Sequence, residues 1–466
     1  MTARLLQGMQ PRVWLTRENI ALGLFLVLLA VWNIPHTIAL RYGLGGLLLI
    51  MILASRTFQL RAFRETSWPL LLFFVYLLVY ALFLSDDTAT TFKNLKGEWL
   101  KFCLFAIVGW GVGRTLLKRP AERTLLSISI ACGLPLLIHI GMVAGKFFQT
   151  GEVPFSYWGL HEHHADLGWA ALFCISILSI LVFAGSSKAT PFIFCIMFLV
   201  SIASLLIAHS RAALVFTFVV FFLALVLNLS IAAPSGKKWG KTLVLMGFVL
   251  AQILAAILFV QTRDENRWSN MQNRIDLGFE ADPLDVICKG LPFLKERLAA
   301  QGLSRSAEQE TELQYVNDGD GLRALLFRAG LILTAKHPLG INASKFAYQE
   351  AINLECKPAI HGAHIHIGWL DTAISIGIPG ALLYLFVLLS YTIQGLRGAK
   401  SENGKNLFAL SLAITAFTWI IRGMIDSTQR DQMLEMQICL ITCFAASMYP
   451  ANNSSTNGLQ DAEKAT

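Results

Sequence analysis

The residues best equipped for chemistry are arginines and histidines that stand between long apolar runs. His209-Ser210-Arg211 separates two such runs with no Gly or Pro, so the chain must turn almost within two helices. An Arg in a bilayer is costly, roughly 2.5–3.5 kcal/mol at the centre of a spanning helix and less at its edge. One kept there either snorkels to headgroups or binds an anion. Its planar fork suits phosphate, to which it donates two parallel hydrogen bonds. Arg323 is a second candidate. It follows Asn317-Asp318-Gly319-Asp320-Gly321 and opens a short apolar segment, with Arg328 on a different face. A solvated surface Arg is the plainer alternative at 323.

His361-Gly362-Ala363-His364-Ile365-His366 runs straight into an apolar stretch, which predicts His366 at a helix N-terminus on the membrane's edge. The positive end of a helix dipole lowers the pKa of a nearby His. A neutral imidazole serves as general base near pH 7. Two alternatives stay open: a zinc site, given the density of His, and an ordinary polar helix cap. A second cluster, His161-Glu162-His163-His164 with Asp166, misses the H-E-x-x-H spacing because position 165 is Ala165. Asp86-Asp87 and Asp318-x-Asp320 resemble metal-binding carboxylate pairs, but turns explain them equally well. Arg422, Asp426 and Arg430 lie between the last two apolar runs. Ionisable residues at a membrane boundary pair with one another or face a polar cavity.

The elements that must position these residues are membrane helices. The chain has 466 residues, 55% hydrophobic and only 15% charged, with mean hydropathy +0.57. A soluble protein carries roughly a quarter charged residues, so a cytosolic enzyme, a disulfide-stapled module and a disordered chain are excluded. At about 20 apolar residues per span, candidate spans fall at 20–35, 37–54, 68–85, 100–117, 124–144, 165–184, 190–208, 212–232, 241–261, 366–395, 407–421 and 432–449. These are twelve. No run ends in an A-x-A cleavage pattern, so the first is expected to remain as an anchor.

Arg4, Arg12, Arg17, Arg56, Arg61, Arg64, Lys118, Arg119, Arg123, Lys188, Lys237, Lys238, Lys241, Arg397, Lys400 and Lys405 all fall on one side if the spans alternate. The positive-inside rule makes that side, with both termini, cytoplasmic. The net charge of +8 is therefore an orientation signal, and no nucleic-acid partner is expected.

The expected fold is an all-α polytopic membrane protein in four parts. Residues 1–261 hold spans one to nine, 262–365 an outer domain, 366–449 spans ten to twelve, and 450–466 a disordered tail. The outer domain holds 12 basic and 14 acidic residues. Segments 283–301 and 322–336 read as its helices, the second stopped by Pro338. Cys288 and Cys356 both lie there; they pair if that side is oxidising, and otherwise are two separate thiols. The other cysteines fall in spans as small hydrophobes. No repeat of fixed period is present.

Three local motifs resemble the bacterial O-antigen ligases and the wider group of O-antigen polymerases and protein O-oligosaccharyltransferases. Ile207-Ala208-His209-Ser210-Arg211-Ala212-Ala213-Leu214 is similar to an "S/T-R-x-x-L" turn. Leu322-Arg323-Ala324 through His337-Pro338-Leu339-Gly340 is similar to an "R…h-P-l-G" segment. His366-Ile367 followed by Gly377-Ile378-Pro379-Gly380 is similar to "H-[N/S]-x9-G-x-x-G", with Ile367 in place of the usual Asn or Ser. His364 is the candidate to replace the missing polar group, or to be the base itself.

The resemblance implies a GT-C-like glycosyltransferase of the inner membrane, working on its periplasmic face without cofactor or metal. It would transfer a glycan from undecaprenyl diphosphate to a lipid A–core hydroxyl. His366 would be the general base, and Arg211 and Arg323 would bind the donor diphosphate. His364, Asp426, Arg422 and Arg430 would support them. The lipid tail would lie among the helices and membrane lipids. The same donor chemistry fits a polymerase or a protein-glycosylating enzyme. A transporter or lipid flippase would show repeated halves and mid-membrane polar groups. The residues say nothing of oligomeric state.

Overall fold

The computed structural model describes residues 16–55, 58–117, 119–231, 236–263, 275, 278–279, 282–290, 292–293, 296, 320–362, 364–401, 404–427 and 431–448. Arg4, Arg12, Arg56, Lys118, Asp318 and Arg430 lie outside these residues, as does the tail.

Every expected span falls on a helix, because each is a long run of good helix formers whose backbone must satisfy itself in lipid. The helices are α1 (Arg17–Val31), α2 (Ile38–Ser55), α3 (Leu60–Val79, continued by a wide turn over Tyr80–Leu84), α4 (Thr88–Gly97) and α5 (Trp99–Leu116). Next come α6 (Ala121–Thr150), α7 (His164–Ala184), α8 (Thr190–Ile207), α9 (Arg211–Ile231) and α10 (Gly236–Arg263). After α11 (Pro283–Lys289), α12 (Asp320–Lys336) and α13 (Ala347–Glu355), the chain returns to the bundle with α14 (Gly368–Gly398), α15 (Leu407–Arg422) and α16 (Asp431–Met448). Two-residue strands, Lys400–Ser401 and Gly404–Lys405, join α14 to α15.

Among the described residues, nine segments are long and apolar enough to cross a membrane. α1 has 15 residues and α15 has 16. At 1.5 Å per residue these fall short of a bilayer core of about 30 Å. α16 carries Asp431 and Glu435. Each of the twelve expected spans thus has a helix, while nine segments among the described residues have the length and apolarity a span requires.

α7 and α16 form the buried centre, with nearly every residue of each screened by neighbours. α5 lies against α16 through Gly109 and Gly113, where an added Cβ would strike the carbonyl carbons of Cys439 and Cys443 at 2.7 and 2.9 Å. That small-xxx-small stripe brings two backbones together. Thr442 and Ser447 then donate across the seam to Ala106 O and Gly113 O at 2.9 and 3.0 Å.

α11, α12 and α13 form a second hydrophobic cluster that includes Ile287, Leu326, Tyr348 and Ile365. Over the expected helix 283–301, α11 ends at Lys289, where Gly290 takes φ +82° and interrupts it; most of 291–301 lies outside the described residues. α13 was not anticipated, although its nine residues are amphipathic and bury Ala347, Tyr348, Ala351 and Ile352 on one face. Cys288 and Cys356 are disulfide-bonded, with Cα atoms 5.9 Å apart. The bond fastens α11 to the end of α13, just ahead of the His361–His366 stretch.

Candidate functional site

The third sequence motif is a backbone clamp. Within α14, Gly377 stands at φ +82° and Pro379 lacks an N–H, so the helix breaks and frees carbonyls. The His337–Ser344 segment and α3 take up those groups. Ile341 N–H donates to Ile374 O at 2.7 Å, and Ala343 N–H to Ser375 O at 3.0 Å. Tyr80 O–H reaches Ser375 O at 3.2 Å, and Tyr76 O–H reaches Ile376 O at 2.6 Å. Ile378 N–H donates to Pro338 O at 2.9 Å. The His-Pro-Leu-Gly segment and the Gly-x-x-Gly segment are thus two halves of one joint, which docks the α11–α13 unit onto the bundle.

Beyond this joint the chain runs extended into α14. Ile365 is fully buried. A Cβ on Gly330 would lie 2.6 Å from its side chain, so α12 must present glycine there. His364 and His366 flank Ile365 and come together. Their ring centroids are 4.2 Å apart. His366 takes φ +64°, a left-handed conformation that costs a non-glycine residue about 1–2 kcal/mol. Such strain clusters at functional sites. His366 stands just ahead of the N-terminus of α14. α14 begins at Gly368 with Ile367 as its cap, so the turned backbone, rather than the first helical turn, aims the imidazole.

The start of α14 is fixed to the α15–α16 turn. Gly368 N–H donates to Asp426 O at 3.0 Å, and Trp369 Nε1–H to Ile420 O at 3.0 Å. Asp426 therefore sits beside the histidines. Burial tends to raise its carboxyl pKa, but Arg422, His366 and Arg323 together outweigh it and hold the carboxyl below the usual range. The structure thus brings Arg323, His366, Arg422 and Asp426 into one electrostatic neighbourhood. Arg323 is exposed at its mouth on the first turn of α12.

Arg422 lies at the floor of this neighbourhood. It is 2% exposed, and its Nη2 donates to Asp426 Oδ2 at 2.5 Å. Its guanidinium stands 5.3 Å over the Phe216 ring. Among the described residues, Nε and Nη1 find no hydrogen-bond partner. Leaving a buried donor unpaired costs roughly 1–3 kcal/mol, more for a charged group. An anion at this place removes that cost.

Arg211 is the first residue of α9, the helix that carries Phe216. The turn before it is made by His209 at φ +56°, which replaces the glycine the sequence lacks. Ser210 N–H donates to Leu205 O at 2.9 Å, and Ser156 N–H to Ile207 O at 2.9 Å, so the 151–163 loop braces this turn. Gly168 of α7 lets Ala213 approach closely. Arg328 turns away, its guanidinium donating to Gly278 O at 3.0 Å.

The second histidine cluster is divided among separate tasks. His161 is buried and its Nδ1–H donates to Asn33 O at 2.7 Å. Burial pushes its pKa down to about 4. His163 lies beside Trp158. His164 lies within electrostatic reach of Arg323, Asp426, His163 and Arg422, so it joins the site. This proximity was missed because its immediate neighbours in sequence suggested metal binding. Among the described residues, no group of three His, Cys, Asp or Glu stands as a metal set. Asp87 caps α4, accepting Thr90 N–H at 3.0 Å. Asp320 is the first residue of α12.

These features define an integral membrane protein with a cationic, histidine-bearing site at one end of its helical bundle. Residues 196–385 match the family model described as O-antigen ligase, which supports a place for the chain in that family. The matched stretch contains Arg211, Arg323, His366 and both halves of the glycine joint; Arg422 and Asp426 lie beyond it. No curated protein matches the chain. The family points to a membrane glycosyltransferase-like enzyme of the O-antigen ligase or polymerase type, acting in lipopolysaccharide biosynthesis.

Proposed function

We propose that this protein is an O-antigen ligase. It transfers a glycan from undecaprenyl diphosphate to a sugar hydroxyl of lipid A–core at the periplasmic face of the inner membrane. The observation that carries this reading is the gathering of Arg323, Arg422 and His366 around Asp426, with unpaired guanidinium N–H groups on Arg422. The Cys288–Cys356 disulfide supports an oxidising compartment on the site's side. The basic loops support the opposite side as cytoplasmic.

His366 takes the proton of the acceptor hydroxyl. The hydroxyl oxygen attacks the anomeric carbon, and the bond from that carbon to the diphosphate oxygen breaks. Undecaprenyl diphosphate leaves with the bonding pair. Arg211, Arg323 and Arg422 hold the diphosphate as its charge grows. Cations aimed in advance at developing charge are usually a large catalytic contribution. One base and one leaving group make a single displacement, so the anomeric configuration inverts. Asp426 holds Arg422 in place, and His364 supports His366. No cofactor or metal enters the scheme.

Purified protein, undecaprenyl-diphosphate glycan and lipid A–core, mixed in EDTA, test the proposal. Lipopolysaccharide of higher mass is the expected product. Longer glycan on the lipid carrier would make the protein a polymerase, and transfer to protein alone a protein glycosyltransferase. No transfer to any acceptor, with carrier flipping intact, would leave the transporter reading.

A further inference from the structure

Asp371 lies in the first turn of α14 and is the one carboxylate of that helix. It is half-buried and reaches back beyond the start of its own helix. Its Oδ1 accepts the backbone N–H of Ile365 at 3.0 Å, the amide between the two histidines. Its Oδ2 accepts the hydroxyl of Ser427. Ser427 in turn donates its backbone N–H to Asp426 Oδ1 at 2.9 Å, while Arg422 holds Asp426 Oδ2. An unbroken chain of hydrogen bonds therefore runs from the histidine backbone through Asp371, Ser427 and Asp426 to Arg422.

The chain explains two otherwise separate facts. His366 sits at φ +64°, a conformation an L-residue holds only when its surroundings enforce it. The burial of Ile365 fixes one side of the 364–366 stretch, and its captured amide fixes the other. A carboxylate suits the place because two donors arrive and it offers two acceptor oxygens and no donor. Tyr348 of α13 is buried nearby, its hydroxyl pushed up by burial and by the Asp371 charge. Asp371 thus ties the histidine loop to the α15–α16 turn.

We infer that Asp371 is a positioning residue: it holds the Ile365 amide to Ser427 and so sets His364 and His366 in register with Asp426 and Arg422. The inference rests on the transferase reading for its consequence, but not for its geometry. It places the sensitivity of the reaction on a residue that touches neither substrate.

Two readouts test it in full-length protein in detergent. The first is hydrogen–deuterium exchange of the peptide spanning residues 361–370. Asp371→Ala should speed exchange there at least tenfold, with little change in the peptides of α7 or α16. Asp371→Asn keeps one acceptor, and its amide N–H can donate to the Ser427 hydroxyl, so most protection should return. Equal exchange in wild type and Asp371→Ala would overturn the inference, whatever the protein's activity.

The second readout is release of undecaprenyl diphosphate from its glycan, with lipid A–core, donor glycan and peptide offered in turn as acceptors. Asp371→Ala should lower kcat at least thirtyfold and leave the KM for donor within twofold. Asp371→Asn should recover to within fivefold of wild type. A rise in donor KM with kcat unchanged would make Asp371 a binding residue and contradict the inference. Wild-type activity on an acceptor other than lipid A–core would correct the ligase reading and leave this test intact.

Discussion

Gly340 and Gly377 meet backbone to backbone, each in the left-handed region, at φ +86° and +82°. A Cβ on Gly340 would lie 2.8 Å from Ile376 C, and one on Gly377 would lie 2.8 Å from Leu339 O. Neither obstacle is a flexible side chain, so the joint must open to admit a methyl. Gly340→Ala and Gly377→Ala should each cost about 1–3 kcal/mol from backbone conformation alone, before the clash is added. Both should lower the midpoint of thermal unfolding and remove transfer activity. Gly141→Ala, in the interior of α6 with nothing within 4 Å of an added Cβ, is the control and should lower neither.

That joint shows how far the sequence reaches. The glycines were visible as a pattern, and so was the histidine eleven residues upstream of Gly377. Their physical purpose was not, because the partner of Gly377 is Gly340, in a different element. The helices were legible because lipid forces long apolar runs to satisfy their own backbones. Arg211, Arg323 and His366 were legible as charged or titratable residues at the edges of such runs. His164 and Asp371 were passed over, the first for its crowded neighbours and the second for its solitude within α14. An acid inside an apolar span is itself a signal. The left-handed turn at His366 has no mark in sequence, since it is imposed by Ile365, Asp371 and the α15–α16 turn.

Arg422 should be irreplaceable by lysine. Its guanidinium pairs with Asp426, lies over Phe216 and keeps two further N–H groups for an anion. A lysine ammonium is a point charge and cannot reproduce that geometry. Arg422→Lys and Arg422→Ala should both lower kcat about 10²–10³-fold, the scale of losing one oriented donor to developing charge. Steady-state release of undecaprenyl diphosphate is the measurement. Near-complete rescue by lysine would show that charge alone matters there.

The Cys288–Cys356 bond closes a loop with sequence separation 68 and fastens α11 to α13. Removing it should cost the α11–α13 unit about 2–4 kcal/mol. Cys356→Ser should therefore raise proteolysis between residues 282 and 362 while leaving α5 and α16 protected. Limited proteolysis followed by mass spectrometry reads this directly.

His161 predicts an acid-sensitive stability. Burial holds its pKa near 4, against an ordinary value of 6.5, so the folded protein keeps it neutral. As pH falls from 6.5 towards 4, the unfolded chain gains a proton that the folded chain does not. Stability drops over that window by about 1.4 kcal/mol per pH unit from this group. Above pH 6.5 the contribution is flat. His161→Gln should flatten the fall in unfolding midpoint between pH 6.5 and 4, although it loses stability at pH 7 if the Asn33 hydrogen bond is not remade. An unchanged slope would mean that His161 is not the group responsible.

The most direct test of the site is to compare His366→Ala with His364→Ala. The two rings are neighbours, but only His366 lies in the strained turn beside Asp426. General base catalysis contributes about 10²–10⁴-fold. The kcat for release of undecaprenyl diphosphate, measured with saturating donor and lipid A–core, should fall by that factor in His366→Ala and by less than about tenfold in His364→Ala. Full activity in His366→Ala, with activity lost in His364→Ala, would move the base to His364 and contradict the assignment.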